Sequence, residues 1–199
     1  MSVVPRPIRP ERIAQLPPRE RIIDAAQALF FEQGISRVTV DAIAALAGST
    51  KMTLYRHFET KDVLVQEWLR LLTEQYSAVL DELSSQWPGQ PVRQLLGFAE
   101  FIAADLASSG YRGCPFTNSL AELPDPLHPA RRLIESHKQR QFQRLATLCK
   151  EADLPCPMDV AQELTLLMEG AQVVAQNKGM DEVGARLMRI VSKRLGVTV

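Results

Sequence analysis

An all-α fold is predicted for this 199-residue chain by three features of its sequence. Apolar residues recur at three- and four-residue spacing in most segments, no window shows sustained apolar–polar alternation, and the breaks between helical runs fall at proline or glycine. The expected architecture is an N-terminal three-helix helix-turn-helix domain, joined by a long helix to a C-terminal helical domain, about nine helices in all. Three segments are expected: an arm over 1–17, the helix-turn-helix domain over 18–62, and the second domain over 63–199.

The arm, "MSVVPRPIRPERIAQLPPRE" at its start, has prolines at 5, 7, 10, 17 and 18, which remove backbone donors and bar helix. Its Arg6, Arg9 and Arg12 can follow a phosphate backbone or form a solvated tail. Pro17 and Pro18 place a helix start, and Ile22, Ile23, Ala26, Leu29 and Phe30 continue at helical spacing until Gly34. In "SRVTVDAIAALAG", Thr39 is an N-cap, and Val40, Ile43, Ala44 and Ala47 share one face before Gly48. Thr50 caps a further short helix from Lys51 to His57, with Leu54 and Phe58 inward at i, i+4. Two short helices joined at Gly48 match a helix-turn-helix, and small Ala44 suits their close crossing. Thr60 then caps a helix carrying Val63, Leu64, Trp68, Leu71, Leu72, Val79 and Leu83 to about Gln86, a reach of roughly 35–40 Å. "QWPGQP" breaks it. Helices follow over Val92–Ser109, within "GYRGCPFTNSLAELPDP", over Pro129–Ala152 and Val160–Asn177, and from Asp181 to near Leu195.

Composition excludes several classes. Hydrophobic residues are 46% and charged residues 23%, an ordinary globular mixture. No run approaches the eighteen or so uninterrupted apolar residues of a membrane span, and no signal peptide opens the chain, so a cytoplasmic protein is expected. Lys and Arg number 23 against 23 Asp and Glu, a net charge of zero that argues against indiscriminate coating of nucleic acid. None of the glutamates has a histidine three residues later, and there is no glycine-rich phosphate loop, GxSxG or HExxH. An enzyme is therefore not expected, nor a metal or other cofactor. Cys114, Cys149 and Cys156 lack metal-ligand spacing and are expected as reduced thiols.

The stretch "RIIDAAQALFFEQGISRVTVDAIAALAGSTKMTLYRHFETKDVLVQEW", Arg21 to Trp68, resembles the N-terminal region of TetR/AcrR-family transcriptional regulators. "TLYRHF" followed by "ETKDVL", at this distance from "AIAALAG", carries most of the resemblance. "RGCPFTNSLAEL" and "LLMEGAQVVAQ" resemble regulatory-domain segments more loosely. The resemblance implies a homodimeric DNA-binding repressor whose C-terminal domain binds a small effector. Family members often have glycine where Met52 stands and an aliphatic residue where Ser49 stands, so an operator sequence cannot be borrowed from relatives.

With Leu54 inward, a 100° step per residue turns Met52 and Arg56 outward, flanked by Thr53 and Tyr55. A major groove about 12 Å wide admits such a helix. Arg56 suits guanine, Thr53 offers a bond or a methyl contact, Met52 suits a thymine methyl, and Lys51 can reach base or phosphate. Arg37, Thr39, Thr50, His57 and Lys61 are the expected phosphate contacts, with Tyr55 also at the edge of the motif. Tyr55 and His57 can equally pack beside Phe58. One such helix reads too few bases for useful specificity, so a dimer on an inverted repeat is required, with half-sites about 34 Å apart.

The last two helices carry stripes: Val160, Leu164, Leu167, Ala171 and Val174, then Val183, Leu187, Ile190 and Val191. Pattern alone fits an intramolecular core; the resemblance implies the dimer interface. An effector pocket is expected among Phe98, Phe101, Ile102, Phe116, Asn118, Glu122, His137, Gln141 and Met168. His137 and Gln141 lie on an apolar face and need partners, either Asn118 or Glu122 or a ligand, and the aromatic residues can be plain core. Two alternatives stay open: a thiol-based redox sensor using Cys149 and Cys156, and a DNA-binding protein without effector control.

Overall fold

The computed structural model describes residues 16–106 and 111–197. The arginines of the arm, Arg6, Arg9 and Arg12, lie outside the described residues. Nine α-helices and no strands are found among the described residues: α1 (Pro18–Gln33), α2 (Val40–Leu46), α3 (Lys51–His57), α4 (Lys61–Gln86), α5 (Pro91–Leu106), α6 (Pro115–Glu122), α7 (Pro129–Glu151), α8 (Pro157–Gln176) and α9 (Val183–Arg194). Three starts differ from the expected ones, α5 by one residue, at Pro91 in place of Val92. Cys156 in left-handed backbone brings the α8 start forward to Pro157, and Glu182 at φ 55° delays α9 to Val183.

Contacts divide the chain into two units. One comprises residues 16–73 with 115–134. The other comprises residues 74–106, 111–114 and 135–197. The sequence reading put the boundary after Asp62 and assigned everything beyond to one domain. Instead the first half of α4, all of α6 and the start of α7 pack with the N-terminal helices.

In the first unit, the apolar faces of α1–α4 close over Ile22, Phe30, Ile43, Leu54, Phe58 and Trp68, each at most 3% exposed. The Phe30 and Trp68 rings meet at 5.2 Å. This burial supplies what two seven-residue helices lack, since isolated helices so short are unstable in water. Arg19 lies over the Phe58 ring at 5.2 Å and donates to Glu67 at 2.7 Å, and Arg70 donates to the same carboxylate at 2.8 Å. Those bonds from Arg70 and Arg19 hold the Glu67 carboxyl down at about 2.

In the second unit, α4, α5 and α7–α9 enclose a core that includes Leu83, Phe98, Leu145, Leu164, Leu187 and Val191. Gly97 is small for a packing reason: a methyl group there would lie 2.7 Å from both Leu83 and Trp87. Gln94, 6% exposed, donates to Trp87 O at 2.7 Å and accepts from Ser84 at 3.1 Å, so its amide is satisfied inside the core.

Candidate nucleic-acid interface

The glycine turn between α2 and α3 is built by local chemistry. Thr39 Oγ1 accepts from Ala42 N at 3.1 Å and starts α2. At its end Gly48 takes φ 55°, Ser49 N donates to Ala44 O at 2.9 Å, and Gly48 N donates to Ala45 O at 3.1 Å. That paired closure is the Schellman motif, which satisfies the last carbonyls of a helix. Arg21 of α1 reaches across to Gly48 O at 3.2 Å. Thr50 Oγ1 then accepts from Thr53 N at 3.1 Å and starts α3. Apart from the Arg21 bond, every contact that pins the turn and both caps is local.

Leu54 is fully buried, and the opposite side of α3 faces solvent. Met52 is 73% exposed and Tyr55 44%, while Arg56 and His57 are also exposed. The outward side of α3 thus combines apolar surface from Met52 and Tyr55 with the basic Arg56 and His57. Arg37, Arg56 and His57 are all exposed, and among the described residues no ion pair is found for them.

Other expected contact residues have partners within the chain. Lys51 pairs with Asp41 at 3.1 Å. The Thr53 hydroxyl lies 2.9 Å from that of Thr50, so the Thr39 and Thr50 side chains are caps first. Lys61 departs furthest from expectation. Its Nζ donates to Ile35 O at 2.6 Å, and burial lowers its pKa against the opposing pull of Asp62 and Glu122. That bond ties Lys61 to the turn before α2.

The expected effector residues divide between the units. Phe98, Phe101, Ile102, His137, Gln141 and Met168 belong to the second; Phe116, Asn118 and Glu122 sit on α6 in the first. Glu122 accepts a 2.7 Å bond from Ser36 N, which ties it to the α1–α2 turn. In the second unit Tyr76 meets Phe101 edge-on at 5.7 Å and His137 at 6.3 Å. Burial, with Lys138 and Arg140 nearby, lowers the His137 pKa to about 4, so the ring is neutral. Lys138 donates to Glu169 at 2.5 Å and to Cys114 Sγ at 3.7 Å. Burial disfavours that ammonium, but Cys114 and Glu169 outweigh it and its pKa is raised. Burial alone pushes the Asp105 carboxyl up to about 6. Tyr76, Asp105, Lys138 and Glu169 were not anticipated; only Asp105 left a signal, an acid four residues after Phe101 on the apolar stripe of α5. An open groove of about 760 Å³, lined by Ala103, Leu106, Met180 and Met188 with others, includes none of the anticipated wall residues.

The anticipated dimer stripes are corrected in part. Val160, Leu164, Leu187 and Val191 are at most 3% exposed and belong to the core of a single chain. Leu167, Ala171, Val174 and Val183 are half-buried. Ile190 is 47% exposed, and on α8, besides Met158 in its first turn, Leu166 at 73% and Val173 at 47% are exposed, with Gly170 between them. The exposed row is turned by about a third of a turn from the expected stripe, at 100° per residue. The redox reading also loses support: Cys149 is fully buried with its thiol pKa raised by burial, while Cys156 is exposed.

Capped short helices joined by a glycine turn, with a solvent-facing second helix tipped by basic and amphipathic side chains, define a helix-turn-helix DNA-binding protein. The comparisons with known proteins agree. Residues 22–68 match the family described as "Bacterial regulatory proteins, tetR family". SCO4454, a TetR-family transcriptional regulator from Streptomyces coelicolor, superposes with a TM-score of 0.83 at 30% identity, over 90% of this chain and 94% of that one. The regulator YjdC of Escherichia coli (strain K12) is 24% identical over 152 residues, covering 76% of this chain and 80% of its own. The probable regulator ArpR of Pseudomonas putida is 28% identical over 151 residues, 71% of this chain and 70% of its own. This chain belongs to the TetR family of helix-turn-helix transcriptional regulators. No helix among the described residues is long and apolar enough to cross a membrane.

Proposed function

We propose that the chain works as a homodimeric repressor that reads an inverted repeat through α3 and leaves it when a small, largely apolar effector binds the second unit. The observation that carries this reading is the solvent-facing side of α3, where Met52, Tyr55 and Arg56 project opposite a fully buried Leu54. Met52, Thr53, Tyr55 and Arg56, with Lys51 at the helix start, meet base edges. Arg37 and His57 meet phosphate, helped by the Thr39 and Thr50 hydroxyls.

Two copies are needed because one seven-residue helix spans too few base pairs. The exposed strip of Leu166, Gly170 and Val173 on α8, with Ile190 on α9, supplies a surface for the second copy. Apolar side chains grouped on one face favour burial against a partner, and Gly170 permits close helix approach. Leu167, Ala171 and Val174 border that strip along α8, and Val183 is half-buried at the start of α9.

For the effector, support comes from the second unit's aromatic residues, Phe98, Phe101 and Tyr76, beside Ile102 and Met168, with His137 and Gln141 as polar contacts. Binding can weaken operator affinity only if the effector prefers a conformation that the operator-bound dimer does not adopt. The decisive experiment is selection of bound duplex from a random pool. Recovery of an inverted repeat with half-site centres about 34 Å apart supports the reading; recovery of unrelated sequences refutes it. Operator affinity measured with and without a candidate compound then accepts or dismisses that compound.

A further inference from the structure

The turn between α1 and α2 is held from two sides. On one side Lys61 Nζ donates to Ile35 O at 2.6 Å. On the other, the carboxylate of Glu122, last residue of α6, accepts from Ser36 N at 2.7 Å. Its other oxygen stands over Gly34, where φ is 85° and a methyl group would lie 2.6 Å away. Gly34 is thus needed twice, for its left-handed backbone and for the space that Glu122 fills. The C-terminal end of α6 is itself fixed: Arg131 Nη1 donates to Leu120 O at 3.0 Å and to Leu123 O at 2.7 Å. Ile35 and Val38, on either side of the Ser36 donor, are buried.

This turn runs directly into Thr39, the cap of α2, and α2 is tied to α3 by the Schellman closure at Gly48. Where the turn sits therefore decides where α2 begins, and so how α3 is presented. We infer that Glu122 is a positioning residue for DNA recognition, setting the pose of the reading helix through Ser36 and α2 from a site 86 residues away in sequence. The group touches no DNA in this assignment. A backbone N–H accepted by a carboxylate is a strong tie because the bond is charge-assisted. The segment that carries it, residues 115–134, lies far along the chain from α1–α3 but belongs to the same unit as they do.

The assignment rests on the DNA-reading role of α3, and two mild variants separate it from a charge effect. Glu122→Gln keeps the reach and an acceptor oxygen but loses the charge; Glu122→Asp keeps the charge but is one methylene too short. Affinities are measured for the selected inverted-repeat duplex and for a random duplex of equal length, with urea unfolding as a check that each variant is folded. Positioning predicts that Glu122→Asp binds the selected duplex about tenfold more weakly, the equivalent of one lost charge-assisted bond, with a smaller loss on random DNA. Glu122→Gln stays close to the parent. Electrostatics alone predicts the reverse order, with Glu122→Gln tighter because a negative charge near a polyanion has gone, and Glu122→Asp unchanged. Hydrogen exchange at the Ser36 amide supplies a readout independent of DNA: it speeds up in Glu122→Asp and stays protected in Glu122→Gln. Parent-like affinity or parent-like exchange in Glu122→Asp overturns the assignment. A parent chain that binds both duplexes equally would instead overturn the reading of α3.

Discussion

The ammonium of Lys61, at the first residue of α4, donates a 2.6 Å hydrogen bond to the carbonyl oxygen of Ile35 in the turn ahead of α2. A lysine one turn beyond "TLYRHF" reads as a phosphate contact in the sequence, but its hydrogen bond is spent inside the protein. Replacing it should act on stability before it acts on DNA. Lys61→Ala is expected to cost about 1–3 kcal/mol in urea unfolding, from a lost bond to a charged donor. The slope of log affinity against log salt should stay that of the parent. A slope reduced by about one per half-site, with stability unchanged, would return Lys61 to the phosphate contacts.

Arg56 and Arg37 are both exposed and carry different expectations. Arg56 projects from the outward face of α3, so Arg56→Ala should weaken binding to the selected site by about 1–3 kcal/mol and relax the preference at one base pair per half-site. Arg37 lies in the turn before α2, so Arg37→Ala should weaken all sequences alike and flatten the salt slope by about one per half-site. Salt titrations on the selected and random duplexes separate the two; identical behaviour would refute the division.

Leu166 and Leu164 sit two residues apart on α8 with opposite fates, 73% and 2% exposed. Leu166→Glu should leave the folded monomer intact, shift sedimentation toward monomer and lower affinity for the inverted repeat. Leu164→Ala should instead remove about 2–5 kcal/mol of folding stability through the cavity it leaves. A Leu166→Glu protein that still sediments as a dimer would place the interface elsewhere.

Asp105 gives a pH dependence with a definite sign. Its carboxyl is pushed by burial from the ordinary 3.8 up to about 6. Between those values the folded chain holds more protons than the unfolded one, so stability falls as pH rises through the window. The full penalty is present above about 6. Asp105→Asn should therefore melt higher than the parent near neutral pH, and the gap should close as pH is lowered toward 3.8. A gap independent of pH would show that the side chain's packing, and not its charge, is responsible.

Within the first unit, most of the reading head was legible from spacing. Thr39 and Thr50 cap the helices they precede, Gly48 takes the left-handed turn, and Leu54 and Phe58 face inward while Met52 and Arg56 face out. Each of these depends on residues within four positions of one another, where backbone geometry and the helical period decide the outcome. The α8 stripe was harder. Val160, Leu164 and Met168 form a clear apolar row, but a row indicates that something covers it without saying whether another helix of the same chain or a second chain does so.

By itself the sequence determined an all-helical chain, the ends of its short helices and which side of α3 faces outward, because caps, glycine turns and periodicity act over a few residues. Only the tertiary structure decided that α6 joins the N-terminal helices, that Glu122 holds Ser36, that Lys61 serves Ile35, and that Leu166 rather than Leu164 faces solvent on α8. The physical reason is that a donor, an acceptor or an apolar face can be satisfied by many partners of equal chemistry, and the choice among partners 26 or 86 residues away is made by how the whole set of helices packs.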